Sequence, residues 1–101
     1  MAKRIIWSKS AIENKIQIFT YWNHRNQSKL YSKKLNQQFN AIVQLIQEFP
    51  EMGMKTDLGN IRKIMVDHYA IYYENLEHEI AILAIWDGRQ NPENLDVVST
   101  P

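Results

Sequence analysis

Residues 61–92 read IRKIMVDHYAIYYENLEHEIAILAIWDGRQNP, and this stretch decides the fold. Three β-rich runs are visible, at 61–66, 69–74 and 79–86, separated by Asp67-His68 and by residues 75–78. Both separators are short enough to be hairpin turns between antiparallel strands. In the middle run Tyr69, Ile71 and Tyr73 share one face, while Ala70, Tyr72 and Glu74 share the other. The last run, IAILAIW, is apolar on both faces, which predicts a central strand. The stretch closes in a charged corner, Asp87-Gly88-Arg89-Gln90-Asn91-Pro92. Function is expected at that corner or on the sheet face turned away from whatever covers the other.

Working back from the meander, residues 52–60 form a connector containing Gly53, Asp57, Gly59 and Asn60. At nine residues it exceeds the usual median of about 4–6, which marks it as a candidate functional loop. Before it, Tyr31, Leu35, Phe39, Ile42, Ile46 and Phe49 recur at intervals of three and four, with Leu45 alongside. This predicts a helix starting at Ser28 and stopped by Pro50. An earlier helix is predicted from apolar residues at 11, 12, 16, 19 and 22, capped by Ser8 or Ser10 and fading near 23–27. The opening KRIIW, residues 3–7, reads as a strand. The order β-α-α-β-β-β predicts an α+β domain: a helix hairpin packed on one face of a twisted, mostly antiparallel four-stranded sheet.

The 101 residues fit one domain over 1–101, with a polar tail after about residue 92 expected to be loosely held. With 45% hydrophobic and 23% charged residues, the chain has the balance of a folded globule rather than a disordered one. Cysteine is absent, which excludes disulfides and thiolate metal sites. The N-terminal MAKRIIWSKS lacks the apolar run of about 7–15 residues that a secretory signal needs. No run approaches the roughly 18–20 apolar residues of a membrane span, so a cytoplasmic protein without membrane contact is expected. A net charge of +1 hides an uneven distribution: Lys3 to Lys34 holds eight Lys/Arg against one acid, Glu13. Such a basic half suits nucleic acid, an acidic protein segment, or simply solvated helix faces.

Candidates for chemistry are few. Glu74, Glu77 and Glu79 surround a turn, where carboxylates serve solubility better than acid–base catalysis. His24, His68 and His78 fall in three different turns without metal-ligand spacing, so no metal and no cofactor is expected. Most aromatic residues lie on core stripes, but Tyr72 belongs to the face away from the helices, where it is free to stack on a base or a partner. The cations Arg62, Lys63, Lys55 and Arg89 complete the set, arginine being suited to bidentate phosphate or carboxylate binding. Arg62 and Arg89 are expected either to converge where strands begin and end, or to act only as charges that hold the corner.

Taken together, the chain resembles the RelE/ParE superfamily of bacterial toxins from type II toxin–antitoxin systems. The resemblance covers residues 5–92 and rests on IIW before Ser8 and Ala11, the hairpin ending FPEMG, IRKIMVDHYAIYYEN, and IAILAIWDGRQNP. It implies the β-α-α-β-β-β fold and a growth-inhibiting toxin neutralised by a cognate antitoxin whose C-terminal segment wraps it, with assembly into an oligomer left open. Its target would be DNA gyrase, as in ParE-like members, or messenger RNA in the ribosomal A site, as in metal-independent RelE-like members. For the nuclease, Arg89 matches the basic residue after the last strand, and Lys63, with Arg62, falls near the lysines of the second strand. The arginine expected after the first aromatic of the third strand is Ala70 here, and the segment QNPENLDVV, with Leu95, lacks the tyrosine some nucleases carry. Loss of one acid–base group typically costs on the order of 10²–10⁴ in rate. The sequence thus favours ParE-like gyrase inhibition, with Arg62, Lys63, Tyr72, Arg89 and Lys55 as a binding surface. The alternatives are a ribosome-dependent endoribonuclease using Arg89, Arg62, Lys63 and His68, or an inactive relative that only binds antitoxin.

Overall fold

A computed structural model describes residues 3–87. Arg89, the corner beyond Asp87, Leu95 and the polar tail lie outside the described residues. The elements run β1 (Arg4–Trp7), α1 (Lys9–Asn26), α2 (Leu30–Glu48), β2 (Met54–Lys55), β3 (Ile61–Val66), β4 (Tyr69–Asn75) and β5 (Glu79–Asp87). The sheet order is β1-β5-β4-β3-β2. β1 runs parallel to β5, and the other neighbours are antiparallel.

The sheet therefore has five strands rather than the four expected. The extra strand, β2, is two residues that pair Met54 with Lys63 and Lys55 with Arg62. So short a strand leaves no alternation to read in the sequence. β5 lies between β1 and β4, as its two apolar faces require.

Ser8 rather than Ser10 begins α1. Its hydroxyl accepts from the Ala11 N–H at 3.0 Å and donates to the Leu83 carbonyl at 2.9 Å. One side chain thus caps the helix and ties it to β5. The expected α1 stripe is rotated: Ala11 is fully buried and Ile18, Phe19 and Trp22 pack on the core, but Ile12 and Ile16 are exposed. At about 100° per residue, Ile16 lies about 140° around the helix from Ala11, whereas Ile18 and Trp22 are nearly in line with it. α1 runs on through Asn26 and ends at Gln27, which takes a left-handed φ of 51°.

In α2 the buried line is Ser32, Leu35, Phe39, Val43 and Ile46. Phe49, expected on the buried stripe, is exposed because the helix ends at Glu48 and the chain leaves the core there. Leu45, alongside that stripe, is exposed because it lies about 120° around the helix from Phe39. Phe39 joins the layers, stacking on Phe19 at 6.1 Å and meeting the Tyr69 ring edge-on at 5.9 Å. Trp22 Nε1 donates to the Tyr69 hydroxyl at 2.7 Å. Tyr69, Ile71 and Tyr73 of β4 face these helices with Ile80, Ile82 and Ile85 of β5.

Candidate recognition surface

The connector after α2 is pinned to the sheet by two side chains on its helix-facing side. Tyr73 donates its hydroxyl to the Pro50 carbonyl at 2.8 Å and accepts the Gly53 N–H at 2.9 Å. Opposite it in register, Arg62 donates from Nη1 to the carbonyls of Glu51 (3.1 Å) and Gly53 (2.9 Å). Burial raises the Tyr73 pKa above its ordinary value of 10.0, with the Gly53 hydrogen bond and the Arg62 charge pulling the other way. Arg62 thus has a structural task, which leaves the rest of its guanidinium facing a polar cleft.

That cleft, about 230 Å³, is lined by Glu51, Lys55, Gly59, Asn60, Arg62 and Asn75. Lys55 sits beside Arg62 through the β2–β3 pairing. Lys3 reaches the same end of the sheet, its Nζ donating to Asn75 Oδ1 at 2.6 Å and to the Leu76 carbonyl at 2.7 Å. Three cations therefore gather where β3 begins and β4 ends, a setting suited to holding an anionic group.

The other expected residues are distributed differently. Lys63 lies on the opposite sheet face, between Met54 and Tyr72 in register. Tyr72 is on the face predicted, yet it is only 9% exposed, enclosed with Ala70, Ala84, Ile61, Leu83 and Trp86. A β-bulge between Tyr72 and Tyr73 contributes: Tyr72 pairs with Ala84 and Tyr73 with Ile82, which leaves Leu83 as the extra residue against this cluster. Burial pushes the Tyr72 pKa up. The ring is therefore not free to stack. His68 occupies the β3–β4 turn at the far end of the sheet, 3.7 Å from Asp67.

β3 and β5 are not neighbours, and β5 ends at Asp87 opposite Tyr69, whereas Arg62 lies opposite Tyr73. The strand ends expected to bring Arg62 toward the final corner are thus at opposite ends of the sheet. Among the described residues, no cluster of three or more His, Asp or Glu side chains is placed to hold a metal.

A second cleft, about 350 Å³, was not legible in the sequence. Asn14, Gln17, Ile18 and Tyr21 of α1 line it with Tyr69, Ile85, Trp86 and Asp87. It arises because β1 ends at Trp7 opposite Ile82, so that among the described residues the remainder of β5 has no strand on that side. Asn14 Oδ1 takes the Ile85 N–H at 3.2 Å instead. A polar residue close to the core line of α1 was the only available signal.

Residues 5–92 match the family model described as the ParE toxin of the type II toxin–antitoxin system parDE. The chain belongs to the ParE toxin family. A chain of a solved structure, "Chromosomal ParDE TA system from P. aeruginosa", has a similar fold, with a TM-score of 0.73 at 16% identity over 85% of this chain and 96% of that one. No curated protein matches the chain by sequence. In this ParE-family fold Ala70, at the position where the RelE-like resemblance asks for arginine, is 4% exposed and paired with Trp86. Among the described residues no helix is long and apolar enough to cross a membrane.

Proposed function

We propose that this ParE-family chain acts, when free of its antitoxin, by inhibiting DNA gyrase rather than by cutting RNA. The observation that carries the choice is the scatter of the acid–base candidates. Catalysis by positioned acids and bases requires them to converge on the reacting group within hydrogen-bond reach, about 2.6–3.2 Å between heavy atoms. Arg62 instead serves backbone carbonyls on the helix-facing side, Lys63 lies on the opposite face, and His68 is at the other end of the strand. The cations Arg62 and Lys55, with Lys63 on the other face and Arg89 beyond β5, serve on this reading as contacts to the target. Both the gyrase and the ribosomal reading place the protein in the cytoplasm.

A cognate antitoxin is the partner supported by the family and by the ParDE neighbour. Antitoxin segments dock by groove and edge contacts, and the β2–β3 edge offers both. Met54 (65% exposed) and Met65 (52%) flank Lys63 on the outer face, and β3 has no β2 partner beyond Lys63.

A supercoiling assay with increasing toxin tests the activity. Loss of supercoiling, without cuts in a primer-extension assay on translating messenger RNA, is the expected pair of results. Cuts that disappear in Arg89→Ala would reassign the protein as a ribosome-dependent endoribonuclease. Antitoxin binding with neither activity would make it an inactive relative.

A further inference from the structure

The helix hairpin carries a feature that neither target reading uses. Between Glu13 and Glu48 the sequence holds Lys15, Arg25, Lys29, Lys33 and Lys34 and no acid. Folding concentrates four of these, all exposed, at the α1–α2 turn, with His24 beside them. None forms an ion pair among the described residues. Arg25 is held in place, its Nη1 donating to the Tyr21 hydroxyl at 3.2 Å and its guanidinium 5.7 Å from the Trp22 ring centre. Asp67 accepts from the Tyr31 hydroxyl at 3.0 Å and faces His68.

The placement of the lysines runs against helix stability. A helix N-terminus carries a partial positive charge and favours acidic neighbours. α2 has no acid in its first turn; Lys29 occupies its N-cap without a side-chain cap hydrogen bond, and Lys33 and Lys34 follow in the next turn. The helix dipole and the lysines therefore add to one another. A local choice that opposes folding is expected where function demands it.

The composition of the tip indicates the partner. Protein interfaces have an apolar, often aromatic centre, and here the exposed large apolar side chain at the turn is Leu30 alone. Single-stranded nucleic acid requires aromatic faces for stacking, but the nearest exposed ring, Tyr21, is held edge-on to Trp22 and bonded to Arg25. Point charges flanked by amides, as in Asn26 and Gln27, suit the phosphate backbone of a duplex. We propose that the α1–α2 tip docks on the backbone of double-stranded DNA without reading its sequence, whichever target the toxin poisons.

The test is fluorescence anisotropy of the full chain with a short labelled duplex of mixed sequence. Three to four phosphate contacts predict that affinity falls about 40- to 150-fold between about 50 and 200 mM salt. A variant carrying Lys29→Ala, Lys33→Ala and Lys34→Ala should reduce that dependence to about that of one contact, while Lys9→Ala at the far end of α1 leaves it unchanged. The melting temperature of the triple variant should hold or rise, since the removed charges oppose the helix dipole, so loss of binding cannot be ascribed to unfolding. An unchanged salt dependence in the triple variant overturns the proposal. So does equal or tighter binding of polyglutamate, single-stranded RNA or anionic vesicles.

Discussion

The Tyr73 hydroxyl accepts the Gly53 N–H at 2.9 Å, and a Cβ on Gly53 would lie 2.6 Å from that same oxygen. The Tyr73 ring carbon Cε1 and the Lys63 carbonyl would also be too close, at 2.8 and 3.0 Å. Tyr73 is fully buried, so its ring has nowhere to withdraw. Gly53→Ala should therefore destabilise the fold by about 1–3 kcal/mol, the usual cost of overpacking. Urea denaturation of the two proteins measures it, and an unchanged midpoint would show that the connector is not held against β4.

Tyr73→Phe leaves the Gly53 N–H and the Pro50 carbonyl without this partner, and about 1–3 kcal/mol should be lost. The same hydroxyl gives a pH dependence. Burial raises the folded-state pKa of Tyr72 and Tyr73 above the ordinary 10.0, so the unfolded chain loses these protons first. Their contribution is complete below pH 10 and decreases as pH rises from there through the folded-state values. A chain with both Tyr72→Phe and Tyr73→Phe should be less stable at neutral pH but lose stability less steeply above pH 10. Parallel slopes in alkaline denaturation would contradict the assignment.

Ser8→Ala removes the α1 cap and the bond to the Leu83 carbonyl together. A destabilisation of about 1–2 kcal/mol follows, near the upper end for a cap because two elements are released. Ser10→Ala, on the exposed second residue of α1, should change stability by less than about 0.5 kcal/mol. Thermal melts of the two variants make the comparison.

Arg62 and Lys63 are adjacent in sequence and should separate in effect. Arg62→Ala breaks two bonds to the connector and should lower stability by about 1–3 kcal/mol as well as toxicity. Lys63→Ala breaks no side-chain hydrogen bond or ion pair among the described residues and, on the gyrase reading, should reduce supercoiling inhibition while the melting temperature stays constant. Equal losses of stability in both variants would refute this division of roles.

Periodicity carried much of the architecture because it is a local signal. Alternation in residues 61–86 placed β3, β4 and β5 and chose the face of Tyr73, and the apolar spacing around Leu35, Phe39 and Ile46 placed α2. Where several apolar residues competed for one helix face, as with Ile16 and Ile18 in α1, the sequence did not say which would meet the sheet. The site was less legible. Residue type marked Arg62 as a cation but not the carbonyls of Glu51 and Gly53 that hold it, since those contacts depend on where the connector returns.

By itself the sequence determined the order of the two helices and four of the strands, the three-stranded meander and the uneven distribution of charge, all properties of neighbouring residues. Only the tertiary structure decided that β2 adds a fifth strand, that the bulge at Leu83 helps enclose Tyr72, and that Arg62, Lys63 and His68 do not share one site. The reason is physical: register and bulges are set by the pairing of distant strands. One extra residue in β5 changes what surrounds an aromatic ring on β4 without leaving a mark in the sequence around that ring.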